Sequence, residues 1–291
     1  MSKTYCICNQ KGGVGKTTTA VNLAAFLSVR GKKILLVDLD PQANATSGLG
    51  LSGEQFENTM YDVLIEGIEM SRTIVKTKME NLDLAPSVGD LAGADIELVG
   101  EMAREFKLRE ALKKIKGMYD FVIIDTPPSL SLLTVNALSA SDEVIIPIQT
   151  EYYALEGLSQ LVKTIDLIRT NLNKKLKIGG IILTMYDSRL VLSHQVKDEV
   201  EEHFGEVVFK TAVPRNVRLS EAPSHGMPIL YYDPTSSGSV AYEALAGEII
   251  EKNEAKEDHS QMKLTEEAAA APAQEIPIQQ GEEICQQQSA V

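Results

Sequence analysis

Tryptophan is absent from the 291 residues and aromatic side chains make up only 5% of them, so a core must be filled by aliphatic residues. No apolar run approaches the roughly 20 residues that a membrane-spanning helix requires. No early stretch joins a basic segment to an apolar one and a small-residue cleavage site, and the expectation is a cytoplasmic protein. Cysteine is scarce: Cys6, Cys8 and Cys285 form an odd set, two on one candidate strand and one in a polar tail, which favours reduced thiols over a disulfide framework. Cys6-Ile7-Cys8 also lacks the further ligands of a tetrahedral metal site. Positive charge is in deficit, with 28 Lys and Arg against 41 Asp and Glu and a formal net charge of −13. That balance disfavours nucleic acid as a partner of the whole surface, because phosphates are neutralised by Lys and Arg. From Asn253 onward, however, eight acids face two bases, so the tail carries −6 and the remainder −7, which leaves room for a local basic face.

What is present is ordinary for a soluble protein, 44% hydrophobic and 24% charged, and a single domain of about 250 residues can bury a large core. Short β-branched runs alternate with helical stretches. Strands are expected over 5–9, 34–38, 121–125, 143–148 and 178–184, a rhythm of βα units that predicts a doubly wound, mostly parallel sheet with helices on both faces. The runs are continuously apolar, as strands buried on both faces must be. The first helix is predicted over 16–30, with Val21, Leu23, Ala24 and Leu27 on one side and Gly31 at its end. A final helix is predicted over 236–252. Beyond it the sequence turns to alanines, glutamines, two prolines and many acids with little to bury, so 253–291 is expected to be a disordered tail following a domain of residues 1–252. No repeat or linker splits that domain, and the first strand starts too early for a helix-turn-helix module to precede it.

Gln10-Lys11-Gly12-Gly13-Val14-Gly15-Lys16-Thr17-Thr18 follows a strand and opens a helix, the setting in which a glycine-rich string becomes a phosphate site. Main-chain N–H groups and the positive helix end face the anion, and glycines let the backbone approach it. Lys16 is placed to reach the β and γ phosphates, the Thr17 hydroxyl to bind Mg²⁺ and Thr18 to bind an inner phosphate. Two strands then end in acids, Asp38-Leu39-Asp40-Pro41 and Asp125-Thr126-Pro127-Pro128. In a doubly wound sheet such groups converge on the ligand crevice at the carboxyl ends of the strands. Asp125 fits the acid that holds Mg²⁺ through water. Asp38 is expected behind it, and each aspartate alone could equally be a turn or a helix cap.

Where an ordinary phosphate loop has Gly six residues before its Lys, this one has Gln10, and it gains Lys11. In this the string resembles the deviant Walker A loop of the ParA/MinD group of ATPases, in which the extra lysine reaches the nucleotide of a dimer partner. The resemblance implies an ATP-dependent homodimer, and it implies Asp40 as the acid that positions the attacking water, with 41–44 and 126–130 as switch segments. It extends over residues 1 to about 252. Thr184-Met185-Tyr186-Asp187-Ser188-Arg189, Val213-Pro214-Arg215-Asn216-Val217-Arg218 and Tyr231-Tyr232-Asp233-Pro234 favour the chromosome-partitioning branch, ParA and the short Soj type. That likeness implies Met185, Pro214 and Asn216 as adenine contacts. It also implies non-specific double-stranded DNA and a ParB-type protein as partners, with Arg189, Arg218 and Lys252 as DNA contacts; the plain alternative for these is surface ion pairing.

Rivals within the fold leave their own marks. A MinD-type protein should end in a basic amphipathic helix for a membrane surface, whereas this tail is acidic. A nitrogenase-iron-protein type needs interior cysteines for a cluster, and none lies between Cys8 and Cys285. The expected function is a slow Mg²⁺-dependent ATPase that partitions a chromosome or plasmid; the alternative is a nucleotide-gated protein that positions a protein cargo with little DNA binding.

Overall fold

The apolar runs Ile34–Asp38 and Phe121–Asp125 become adjacent central strands, each buried along its whole length. The structure is a computed structural model; it describes residues 2–52 and 56–270, and side chains as far as 255. In chain order come β1 (Lys3–Ile7), α1 (Lys16–Val29), β2 (Ile34–Asp38), α2 (Asn44–Gly48) and α3 (Met70–Thr73). There follow β3 (Val75–Lys76), β4 (Leu82–Ala85), α4 (Leu91–Glu97), α5 (Lys107–Lys113), β5 (Phe121–Asp125) and α6 (Leu132–Ala140). The last are β6 (Glu143–Gln149), α7 (Ala154–Asn171), β7 (Lys177–Thr184), α8 (Val191–Phe204), α9 (Val217–Glu221), α10 (Ile229–Tyr232) and α11 (Ser237–Ala270).

Seven strands form one sheet in the order β3-β4-β2-β5-β1-β6-β7, parallel throughout except that β3 runs antiparallel to β4. The doubly wound class expected from the sequence is the one observed. Its register matters for function: Ile7 and Asp38 both lie beside Asp125, so β1, β5 and β2 end level with one another. Helix α1 is buried on nearly every side, with Leu23, Ala24, Ala25 and Leu27 at 0% exposure. Its polar residues are tied as well, since Asn22 Oδ1 accepts from Ile229 N at 2.8 Å and the Thr19 and Tyr242 hydroxyls meet at 3.0 Å. Truncating Leu23 to alanine would cost about 2–5 kcal/mol. The loop before α1 thus stands on a rigid mount.

Three parts of the fold differ from expectation. Strand β1 stops at Ile7 rather than continuing to Asn9, because the Asn9 side chain takes over: its amide donates to Pro147 O (2.8 Å) and its oxygen accepts from Lys11 N (3.0 Å). The pair β3 and β4 was not anticipated, since β4 carries a buried acid, Asp83, in the middle of a short run. That acid is satisfied by Tyr119 OH at 2.7 Å and Lys76 Nζ at 2.8 Å. The final helix runs to Ala270 and not to 252, through a stretch rich in Ala, Glu, Lys, Gln and Met, good helix formers, with no Gly or Pro from 253 to 270. Residues 271–291 of the expected tail, Cys285 among them, lie outside the described residues. The chain divides into a unit of Met1–Glu248 and a second of Ile249–Val291. Among the described residues no helix is long and apolar enough to cross a membrane.

Candidate functional site

Between the end of β1 and the start of α1 the chain makes a loop that only glycine could turn so tightly, with φ of +74° at Gly13 and +88° at Gly15. Neighbouring strands hold it from below. Thr126 Oγ1 donates to Ile7 O (2.8 Å), and the Thr184 hydroxyl, at the end of β7, lies 2.9 Å from Val14 O and 3.0 Å from Ile148 O. Gly15 is the N-cap of α1 and has no side chain with which to cap it. The first-turn N–H groups are therefore left for an anion, reinforced by the positive end of a buried 14-residue helix.

Lys16 is 7% exposed and its ammonium donates to Lys11 O at 3.2 Å, folding back over the loop. Burial pulls its pKa down, opposed by the charge of Asp125, then by Cys8 and Asp40. Asp125 is fully buried at the end of β5, and neither of its carboxylate oxygens accepts a hydrogen bond. Burial pushes its pKa well up, and the Asp38 charge adds to that; the Thr17 hydroxyl nearby, although outside hydrogen-bond geometry, and the Lys16 ammonium act the other way. A buried carboxylate with both oxygens open is costly unless something cationic or hydrogen-bonding arrives. With the Thr17 hydroxyl beside it, this donor set suits Mg²⁺, which keeps several waters and takes few protein ligands. Among the described residues there is no cluster of three or more His, Cys, Asp or Glu that could hold a metal ion.

Asp38 has committed its oxygens: one accepts from Asp40 N (3.2 Å), the other from Thr46 N (2.8 Å) and Thr46 Oγ1 (2.7 Å). Burial raises its pKa to about 6 even so. Asp40, 6% exposed, accepts from Gln42 N at 2.9 Å. Lys11 is exposed and paired with Glu151 at the β6–α7 turn. Asn9, Thr46 and Glu151 were not picked out from the sequence, and Thr126 and Thr184 figured only within longer strings, without these contacts, because each takes its place only when distant strands are brought side by side.

On the other side of the loop, Met185 adopts φ +51° directly after β7, and the next residue, Tyr186, bridges to Pro214. Tyr186 N donates to Val213 O (3.1 Å) and Arg215 N to Tyr186 O (3.2 Å), so the structure brings 185 and 214 together. Asn216 is engaged elsewhere: its oxygen caps α9 by accepting from Arg218 N (2.8 Å), and its amide donates to Ser237 Oγ (2.8 Å). A cavity of about 310 Å³ opens beside Thr17 and Thr18, walled by Asn44 and Ser47 on one side and Leu219 and Pro223 on the other.

Two of the three candidate DNA contacts, Arg189 and Arg218, are paired with acids. Arg189 forms a two-bond pair with Asp187 (2.9 and 2.7 Å), whose pKa that guanidinium and the Arg189 amide hold down at about 2. Arg218 pairs with Glu221 (2.8 Å) and Asp233 (3.4 Å). Lys252 lies on α11 in the second unit.

A family model described as an AAA domain matches residues 2–178. The sporulation initiation inhibitor protein Soj of Bacillus subtilis is 55% identical over 249 residues, covering 86% of this chain and 98% of that protein. The chromosome partitioning protein ParA of Myxococcus xanthus is 51% identical over 256 residues, covering 88% and 90%. Among solved structures, cobyrinic acid a,c-diamide synthase from Mycobacterium smegmatis with a bound ATP analogue and magnesium superposes with a TM-score of 0.74 at 36% identity, covering 85% of this chain and 93% of that one. The septum site-determining protein MinD from Pyrococcus horikoshii, complexed with Mg-ADP, gives a TM-score of 0.70 at 29% identity, covering 86% and 96%.

Proposed function

This chain belongs to the ParA/Soj family of partitioning ATPases within the ParA/MinD group, and from that premise we propose that it is a Mg²⁺-dependent ATPase working as a dimerisation switch on DNA. The observation that carries the proposal is Asp125, a buried carboxylate with both oxygens unpartnered beside an anion-ready loop. Thr17 and, through water, Asp125 would hold Mg²⁺, with Asp38 behind them. Bound Mg²⁺ would supply positive charge that offsets the charge on the phosphates. The loop from Lys11 to Thr18 supplies amides, and Lys16 neutralises phosphate from its own subunit. Lys11 does so from the partner copy, in the manner of an arginine finger. Asp40 orients the attacking water, while Met185, Pro214 and Asn216 flank the base; Asn216 must then share its amide with Ser237 Oγ, or its oxygen with the α9 cap.

ATP thus closes a two-fold dimer that coats nucleoid DNA in the cytoplasm through Arg189, Arg218 and Lys252, and a ParB-type partner speeds hydrolysis and release. Turnover without the partner is slow. The test is DNA binding and hydrolysis by the purified protein with ATP, with ADP and with no nucleotide. DNA should be held with ATP alone, and about six phosphate contacts per dimer should make affinity fall about 10³-fold between 50 and 200 mM salt. Arg189→Glu or Arg218→Glu should lose DNA while keeping the dimer. The pairing of both arginines with carboxylates favours a second reading, in which the same switch positions a protein cargo. No ATP-dependent DNA binding even at low salt would select it.

A further inference from the structure

The turn that carries Asp40 is fastened by a closed ring of hydrogen bonds drawn from three segments of chain. Asp38, ending β2, accepts from Asp40 N on one oxygen and from the amide and hydroxyl of Thr46 in α2 on the other. The Thr46 hydroxyl accepts in turn from Ser87 N (3.1 Å), just beyond β4. The Ser87 hydroxyl closes the ring by donating to Asp40 O at 2.7 Å; Val88 O, at 3.5 Å, is the weaker acceptor. Asp38 and Ser87 are 0% exposed, Thr46 2% and Asp40 6%. A buried polar network satisfied in this way rigidifies its members, because every alternative arrangement leaves a buried group unpaired. The ring fixes the Asp40 main chain from both sides, at its N–H and at its carbonyl, and leaves the Asp40 carboxylate outside it.

We propose that Ser87 is a positioning residue for Asp40, fixing the turn so that the carboxylate can orient the attacking water; this rests on the role given above to Asp40. Ser87 belongs to neither the phosphate loop nor the segments assigned to the base. Its effect therefore falls on the rate of the chemical step and not on nucleotide affinity. The device also ties the water-orienting acid to α2, which follows one switch segment, so the two move as one piece.

Steady-state hydrolysis and calorimetric Mg-ADP affinity are measured for the full chain as wild type, Ser87→Ala, Ser87→Thr, Asp40→Ala and the Asp40→Ala/Ser87→Ala double variant. The expected result is a fall in kcat of roughly tenfold or more for Ser87→Ala, with KM and ADP affinity within about twofold of wild type. Ser87→Thr, which keeps the hydroxyl, should recover much of the rate, and Ser87→Ala should cost nothing further once Asp40 is alanine. The proposal is overturned by an unchanged kcat in Ser87→Ala, by a matching loss of ADP affinity, or by a further loss in the Asp40→Ala background; any of the last two marks a merely structural serine. Normal turnover in Asp40→Ala is a separate failure, which removes the acid from its role and leaves the ring as part of the fold.

Discussion

Lys11 is held by Glu151 of its own chain, an ion pair between two exposed side chains at the rim of the phosphate loop. In the proposed dimer the same ammonium must serve the partner's nucleotide, so this pair has to open or be shared. Exposed pairs contribute about 0–1 kcal/mol, which makes the contact a resting place and not a lock. Lys11→Ala should keep nucleotide affinity and lose the ATP dimer on gel filtration. Glu151→Gln releases one such pair in each of the two subunits and should strengthen that dimer by no more than about thirtyfold. A dimer that survives Lys11→Ala would exclude the cross-subunit role, and a much larger gain from Glu151→Gln would make the pair a genuine brake.

Lys16 and Asp125 are both buried at the phosphate loop, and their loss should separate phosphate binding from metal binding. Lys16→Ala removes the ammonium that the loop encloses and should abolish calorimetric heat with both ATP and ADP. Asp125→Asn keeps the shape but not the charge. It should still bind ADP, with an affinity that no longer depends on Mg²⁺. If magnesium strengthens ADP binding to Asp125→Asn as it does to wild type, the two open carboxylate oxygens have another purpose.

Much of this site was visible in the residues themselves. The phosphate loop is contiguous, and the acids at 38, 40 and 125 end apolar runs whose continuity marks buried strands. Ser87 and Thr46 carried no such signal, since their roles exist only once β4 lies beside β2, and β4 was itself hidden by Asp83. The pairing of Arg218 with Glu221 could have been read from their spacing, because residues three apart share a helix face. The helix beyond 252 was missed for a different reason: low hydrophobicity argues against a packed core, yet says nothing against a run of good helix formers.

The raised pKa of Asp38 gives a stability that depends on pH with a definite sign. Burial is the main cause, and it outweighs the three donors that stabilise the anion. Folded, the group titrates at about 6; unfolded, it titrates near 3.9 like any aspartate. The folded state therefore holds the proton more tightly. Its contribution is fully present below about pH 4 and is lost as pH rises through 6, a swing of about 3 kcal/mol at most. Asp38→Asn cannot titrate, so wild type should lose ground to it between pH 5 and pH 7.5. Urea unfolding of both proteins without nucleotide, at those two pH values, measures the difference, and a difference independent of pH would place the ionisation of Asp38 elsewhere.

Gly50 and Gly226 bring two backbones into contact at the far end of α2. Both have positive φ, +75° and +61°, and a Cβ on Gly226 would sit 2.6 Å from Gly50 Cα. Backbone cannot yield as a flexible side chain does, so Gly226→Ala must strain the turn or push the α9 segment off α2, at a cost of about 1–3 kcal/mol. For a domain of this size each kcal/mol lowers Tm by about 2–4 °C. The position of the contact adds a consequence beyond stability, since α2 is tied through Thr46 to Asp38 and α9 carries Arg218. Loosening it should weaken the dependence of DNA binding on ATP while leaving the affinity for ATP itself close to wild type. Melting curves and salt-titrated DNA binding of Gly226→Ala with ATP and with ADP measure both effects. A melting temperature unchanged by the substitution would mean that the two segments do not meet as closely as their glycines imply.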